Sequence, residues 1–219
     1  MKKIITAKEA ISKIKDGDTV MIGGFLSCGT PATLVEELVK QGTKDLTLIC
    51  NDTSFPDADK GKLIVNRQVK KIITSHIGTN PETGRQYHDK ELEVELLPMG
   101  TLIEKIRAFG SGLGGVLTPT GVGTVIEENK ETMMFNGKKY IVETPIGADV
   151  ALIYGSIVDK FGNVKFYGTT KNLNTIMATA AKTVIVQADE FVDCIGENMN
   201  LVCTKLSEDA EKIINRLNS

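Results

Sequence analysis

Chemistry is most legible between Asp16 and Pro31. The apolar run Val20-Met21-Ile22 leads into Gly23-Gly24-Phe25-Leu26-Ser27-Cys28-Gly29, and Thr30-Pro31 follows. Glycine has no Cβ, so such a loop brings bare backbone N–H groups close to a ligand, and a helix N-terminus behind it favours an anion. The helix is signalled by Thr30 as cap, Pro31 at the first position, an apolar face of Leu34, Val35, Leu38 and Val39, and Gly42 at the end. Two nucleotide chemistries are excluded. The spacing from Gly24 to Gly29 imitates a phosphate-cradling P-loop, but Thr30-Pro31 stands where the lysine and hydroxyl residue are required. No GxGxxG occupies the junction, so the dinucleotide fingerprint also fails. A glycine turn made only for close packing of strand on helix fits the same residues.

Other candidates are sparser. Asn51-Asp52 closes the apolar run Leu46 to Cys50, at the C-terminal edge of a predicted parallel strand, where ligands of open sheets collect. Asn51 can donate to an oxyanion, or it can form an Asx turn holding Thr53 and Ser54. Gly110-Ser111-Gly112-Leu113-Gly114-Gly115, with Thr118-Pro119-Thr120-Gly121, suggests a loop lining the site, with a crossover turn as competitor. His76 is expected to support the loop at Gly78-Thr79-Asn80-Pro81, and His88 to be solvated. Arg85 and Arg107 suit either an anionic ligand or surface pairs on Glu/Lys-rich helices. Cys28, Cys50, Cys194 and Cys203 form no CxxC pair and only two histidines exist, so no metal site is expected. The cysteines read as free thiols of a reducing compartment, and Cys28 has no neighbouring base to make it a nucleophile.

The glycine segment resembles the signature of the family I coenzyme A transferases: an acidic-glycine turn and three apolar residues, then Gly-Gly-Phe, three variable residues and Gly-x-Pro. Asp16, Gly17, Val20 to Ile22, Gly23, Gly24, Phe25, Gly29 and Pro31 meet every fixed position. Asn51-Asp52-Thr53, Ser75 to Pro81, Gly100 to Glu104 and Leu117 to Thr124 are similar, in order, to stretches of alpha subunits of acetate or butyrate-acetoacetate CoA-transferases. The likeness spans about Lys13 to Asp193. It implies that Gly23, Gly24, Phe25, Leu26, Ser27, Cys28 and Gly29 contact coenzyme A, which is a substrate rather than a tightly bound cofactor.

In that family a glutamate of a Glu-Asn-Gly motif on the beta subunit attacks the thioester and carries the covalent intermediates. Here Glu128-Asn129-Lys130 and Glu197-Asn198-Met199 lack the glycine, so neither is read as the nucleophile. The resemblance therefore implies an alpha subunit that catalyses only with a beta subunit, as a heterotetramer acting on acyl-CoA and a short-chain carboxylate. A freestanding sugar-phosphate isomerase would need its own acid and base, and a CoA-ester sensor a domain to transmit its signal. Three departures stand out. Met99 replaces a glutamine and Phe109 a glycine of the family pattern, which suggests a tighter, apolar acyl pocket. Asn200 to Lys205 lacks the usual Pro-Gly, so nothing is carried over to the C-terminal end.

The elements that must position these residues alternate. Strand-like runs at Thr19 to Ile22, Leu46 to Cys50, Lys71 to Thr74, Val94 to Leu97, Val150 to Tyr154 and Thr183 to Val186 are separated by helical patterns, notably Ala32 to Lys40, Leu102 to Ala108 and Asn174 to Ala181. The expected fold is α/β: a mostly parallel open sheet with helices on both faces, in one domain over 1–219. Asn136-Gly137 predicts a small antiparallel hairpin between Thr132 and Val142, Phe161-Gly162-Asn163 a second turn, and Ser207 to Leu217 an amphipathic terminal helix. A net charge of -2 gives no reason to expect nucleic acid or an anionic membrane as partner. The start has no apolar core of signal-peptide length, and the expected location is cytoplasmic.

Overall fold

The structure, a computed structural model, describes residues 4–195. A Thr6–Glu9 capping box starts helix α1 (Ala7–Ile11). Then strand and helix alternate: β1 (Thr19–Ile22), α2 (Ala32–Gln41), β2 (Leu46–Ile49), α3 (Gly61–Val65), β3 (Val69–Thr74), α4 (Pro81–His88), β4 (Glu93–Leu96) and α5 (Met99–Gly110). An excursion of β5 (Val116–Thr118), β6 (Thr132–Phe135) and β7 (Lys138–Glu143) forms a separate antiparallel sheet in the order β5-β7-β6. The chain returns through β8 (Ala148–Asp159), β9 (Val164–Lys165), α6 (Asn174–Met177) and β10 (Ala181–Val192). The main sheet runs β10-β8-β1-β2-β3-β4 with every neighbour parallel, and β9 pairs antiparallel to β8.

Alternation along each strand divides the core into two layers. Val20, Ile22, Leu46, Leu48 and Ile72 face Ala10 and Ile11 of α1, Leu34, Val35 and Leu38 of α2, and Leu63 and Ile64 of α3. Met21, Ile49, Ile73, Ala151 and Ile153 face the other way, onto Leu102 and Ile106 of α5 and Leu173 and Met177 at α6. Helices thus cover both faces, as expected. From β1 the chain moves outward through β2, β3 and β4, then crosses back to place β8 on the opposite side of β1. That reversal opens a crevice beyond the C-terminal ends of β1 and β8, the position at which open α/β sheets bind ligands.

Some boundaries differ from the sequence reading. Cys50 and Leu97 lie one residue beyond their strands, whereas β8 and β10 are twelve residues each and pair along nearly their whole length. Polar Gln187, Asp189 and Glu190 hid the end of β10, because pairing to β8 rather than an apolar pattern holds it extended. The helix predicted to Ala181 stops at Met177, and Ala181 opens β10. The hairpin is present, with Asn136 at φ 49° and Gly137 at φ 73°, both left-handed as a type I′ turn requires. At Phe161-Gly162-Asn163 the Asp159 carboxylate accepts the Phe161 and Asn163 amides. Burial alone would raise the Asp159 carboxyl, but bonds from the Asn163 side chain and from backbone amides hold it down at about 2. The expected Ser207 to Leu217 helix lies outside the described residues.

Candidate functional site

A cleft of about 430 Å³ at the switch point is lined by Phe25, Cys28, Asn51, Met99, Thr169, Asn172 and Leu173. Three of the parallel strands contribute through the segments after them: Phe25 and Cys28 follow β1, Asn51 follows β2, and Met99 starts α5 after β4. Thr169, Asn172 and Leu173 come from the stretch between β9 and α6.

The glycine loop is built differently from a bare anion cradle. Its amides are largely bonded inside the protein: Gly23 to Leu152 O, Gly24 to Asn172 Oδ1, Phe25 to Cys28 O, Leu26 to Asp52 Oδ2 and Cys28 to Phe25 O. Only the amides of Ser27 and Gly29 bond no group among the described residues. The glycines make room for protein. A Cβ on Gly23 would lie 1.8 Å from Asn174 Oδ1, one on Gly24 1.9 Å from Thr30 Oγ1, and one on Gly29 2.5 Å from Thr170 O. The expected open backbone is therefore corrected: the reciprocal Phe25–Cys28 turn offers the cleft side chains, with two amides left over. Nor does Thr30 cap α2. Its hydroxyl donates to Leu26 O at 2.7 Å, and Gln187 Oε1, from β10, accepts the Thr33 and Leu34 amides instead. The helix N-terminus meant for an anion is thus occupied by a neutral amide, while Gly42 ends the helix as expected, at φ 73°.

Two asparagines tie this loop to a segment about 145 residues later. Asn172 Nδ2 donates to Cys28 O and Thr169 O while its Oδ1 accepts Gly24 N. Asn174, fully buried, accepts Tyr154 N and donates to Gly29 O and Thr170 O. Sequence reading missed both roles, as well as Thr169 and Leu173. Lys171-Asn172-Leu173-Asn174 has no periodicity, and its significance exists only once β8 lies beside β1.

Asn51 is buried at the cleft, and its Nδ2 donates to Asp52 Oδ2 at 3.1 Å, leaving its second amide hydrogen for a ligand. Ser75 Oγ lies 2.8 Å from Asn51 O, 3.2 Å from Asn51 Oδ1 and 3.1 Å from Met99 Sδ. The Asx turn here belongs to Asp52, whose Oδ1 accepts Ser54 N at 2.8 Å. Asn51 is thereby free of that task.

Several expectations change. Phe109 does not line the cleft: its ring covers Gly147 near the C-terminal end of α5, ten residues or roughly 15 Å along the helix from Met99. The Gly110 to Gly115 loop and Thr118 to Gly121 are likewise absent from the lining. Arg85 pairs with Glu82, Asp89 and Glu91, and Arg107 with Glu104, so both are surface pairs. The His76 ring packs on Gly78 and His88 is exposed, as expected. Glu128-Asn129 sits in an exposed turn, while Glu197-Asn198 lies outside the described residues. Cys28 is exposed with Sγ 3.1 Å from Thr169 Oγ1, whereas burial pushes the Cys50 thiol up to about 12. Cys28, Cys50 and Cys194 are unpaired, and among the described residues no His/Cys/Asp/Glu group could hold a metal. No described helix is long and apolar enough to cross a membrane.

A parallel sheet flanked by helices, with a switch-point cleft lined by apolar side chains and asparagine amides, defines the class: an open α/β protein with a cleft where such sheets place their sites. A family model described as coenzyme A transferase matches residues 4–205, and the chain belongs to that family, as an alpha subunit. It is 58% identical over 192 residues to the acetoacetyl-CoA:acetate/butyrate CoA transferase alpha subunit of Clostridium acetobutylicum, covering 88% of each chain. It is 51% identical over 191 residues to the acetate CoA-transferase subunit alpha of Escherichia coli, covering 87% of each. Among solved structures, glutaconate coenzyme A-transferase from Acidaminococcus fermentans matches with a TM-score of 0.78 at 23% identity, covering 88% of this chain and 68% of that one.

Proposed function

We propose that this chain, with a beta subunit in an α2β2 assembly, moves coenzyme A between a short-chain acyl-CoA and acetate, butyrate or acetoacetate. In this reading the beta subunit's glutamate attacks the thioester, giving an acyl anhydride and CoA thiolate; the thiolate then attacks the glutamyl carbonyl, giving an enzyme thioester and releasing the first carboxylate, and the second carboxylate runs the same steps in reverse to leave as its CoA ester. The observation that carries the reading is the composition of the cleft. Among the described residues its lining holds no carboxylate and no cation, and the carboxylate next to Asn51, Asp52, is buried and engaged by Leu26, Asn51, Ser54 and Lys60. A half-site of this kind suits an acyl group without a second charge, and it needs its nucleophile from elsewhere.

Within it, Asn51 donates its remaining amide hydrogen to the oxyanion of the tetrahedral intermediates. Phe25 and Met99 supply apolar contact. The Ser27 and Gly29 amides are the loop's remaining donors toward coenzyme A.

The test is turnover by the purified chain alone and by the chain co-purified with its beta subunit, using butyryl-CoA and acetate. Background turnover alone and ping-pong kinetics together are expected, and robust turnover by the single chain refutes the reading. In the assembly, Asn51→Asp keeps the shape but removes the donor, so kcat should fall by about 10²–10³.

A further inference from the structure

Beside the cleft lies a buried ion pair, neither partner of which is part of the lining. Lys60 and Asp52 are each about 1% exposed or less, and Lys60 Nζ lies 3.4 Å from Asp52 Oδ1. Buried pairs are weak sources of stability, because desolvation cancels much of the attraction, but they can select one conformation among several. What this pair selects is visible in its remaining bonds. Asp52 Oδ2 accepts the Leu26 amide at 2.9 Å, and Lys60 Nζ donates to the Leu26 carbonyl at 3.0 Å. Leu26 is the loop residue at φ 49°, a left-handed conformation that leucine seldom adopts, at the tip of the Phe25–Cys28 turn. Both polar groups of this strained residue are thus held by the two partners of one ion pair, with Thr30 Oγ1 as a second donor to its carbonyl. Asp52 Oδ2 also takes the Asn51 amide. The same carboxylate therefore bonds Asn51, which lines the cleft, and Leu26, which lies between the lining residues Phe25 and Cys28.

We infer that Asp52 and Lys60 are positioning residues: together they hold the Phe25–Cys28 turn and Asn51 in the arrangement that receives the acyl-CoA. Lys60 acts through Leu26, and Asp52 through Leu26 and Asn51. The inference rests on the proposed function for its kinetic reading, while its structural reading stands apart.

The comparison is between Lys60→Met and Lys105→Met in the assembled enzyme. Lys105 belongs to the other buried pair, 2.8 Å from Glu143, beside the small sheet and away from the loop. Lys60→Met should raise KM for butyryl-CoA tenfold or more while KM for acetate changes less than threefold, and hydrogen exchange of the Leu26 and Cys28 amides should accelerate at least tenfold. Lys105→Met should lower the melting temperature yet leave both KM values and these two amides within twofold of wild type. Equal loss of stability in both variants, with wild-type KM and unchanged exchange at Leu26 and Cys28, overturns the inference. If the wild-type assembly shows no CoA-dependent turnover, the proposed function fails, and the exchange result alone decides the positioning role. Should Lys60→Met not fold, Asp52→Asn, which removes the charge but keeps an acceptor for Leu26, is judged on the two KM values and on exchange at Cys28 by the same margins.

Discussion

Replacing Gly24 by alanine separates two ways in which a glycine loop can matter. The new Cβ would lie 1.9 Å from Thr30 Oγ1 and 2.9 Å from Thr30 Cα, on a backbone at φ 108°. The hydroxyl would have to swing away, breaking its 2.7 Å bond to Leu26 O. Losing that bond costs about 0.5–1.5 kcal/mol and holding an L-residue at this dihedral about 1–3 kcal/mol, roughly 2–4 kcal/mol together. For a chain of this size that corresponds to a fall in melting temperature of about 5–15 °C. Calorimetry on the assembled enzyme measures it, and turnover per folded molecule is measured alongside. Because Thr30 Oγ1 is the nearest obstacle, the cost of Gly24→Ala should shrink by about 1 kcal/mol in a Thr30→Ala background. A Gly24→Ala assembly with wild-type melting temperature and sharply reduced turnover would refute the reasoning and return this glycine to direct contact with the ligand.

Other consequences are simpler to state. Phe109→Ala should leave the kcat/KM ranking of acetate, butyrate and acetoacetate unchanged, because the ring, 46% exposed, covers Gly147 outside the cleft. Met99→Gln should change that ranking, and the opposite pattern would place the acyl pocket at the far end of α5. Asp159 has a folded value of about 2 against the ordinary 3.8, so its stabilisation is complete above about pH 4 and fades as pH falls toward 2. The stability gap between wild type and Asp159→Asn should therefore narrow across that interval, and a gap independent of pH there would contradict the assigned bonds. Iodoacetamide at pH 8 should alkylate exposed Cys28 and spare buried Cys50, with peptide mass spectrometry as readout, and labelling at Cys50 would show that the core around it opens.

Local signals were legible in the sequence wherever one residue type decides a conformation or a simple period repeats. Gly42 as helix end, Asn136-Gly137 as a hairpin turn and Val20-Met21-Ile22 as a buried strand all follow from backbone sterics and the apolar pattern. So does the alternation that makes the sheet parallel. The position of Asn51 at a strand's C-terminal edge was readable for the same reason. The purpose of the glycines was not. Gly23, Gly24 and Gly29 announce a close approach but not by what, and the answer is Asn174, Thr30, Thr170 and Asn172, three of them brought in by the crossover from β4 to β8. Nothing around Lys60 in the sequence singles it out, and only the placement of α3 brings its ammonium to Leu26 and Asp52. Met99 and Phe109 look equivalent as departures in one helix, yet the helix axis carries one into the cleft and the other roughly 15 Å away. Residue types and local spacing thus determined the turns, the layers and the presence of a loop able to approach something. Only tertiary structure decided what it approaches, because hydrogen-bond partners and steric neighbours separated by 145 residues depend on strand order, and no local pattern encodes strand order.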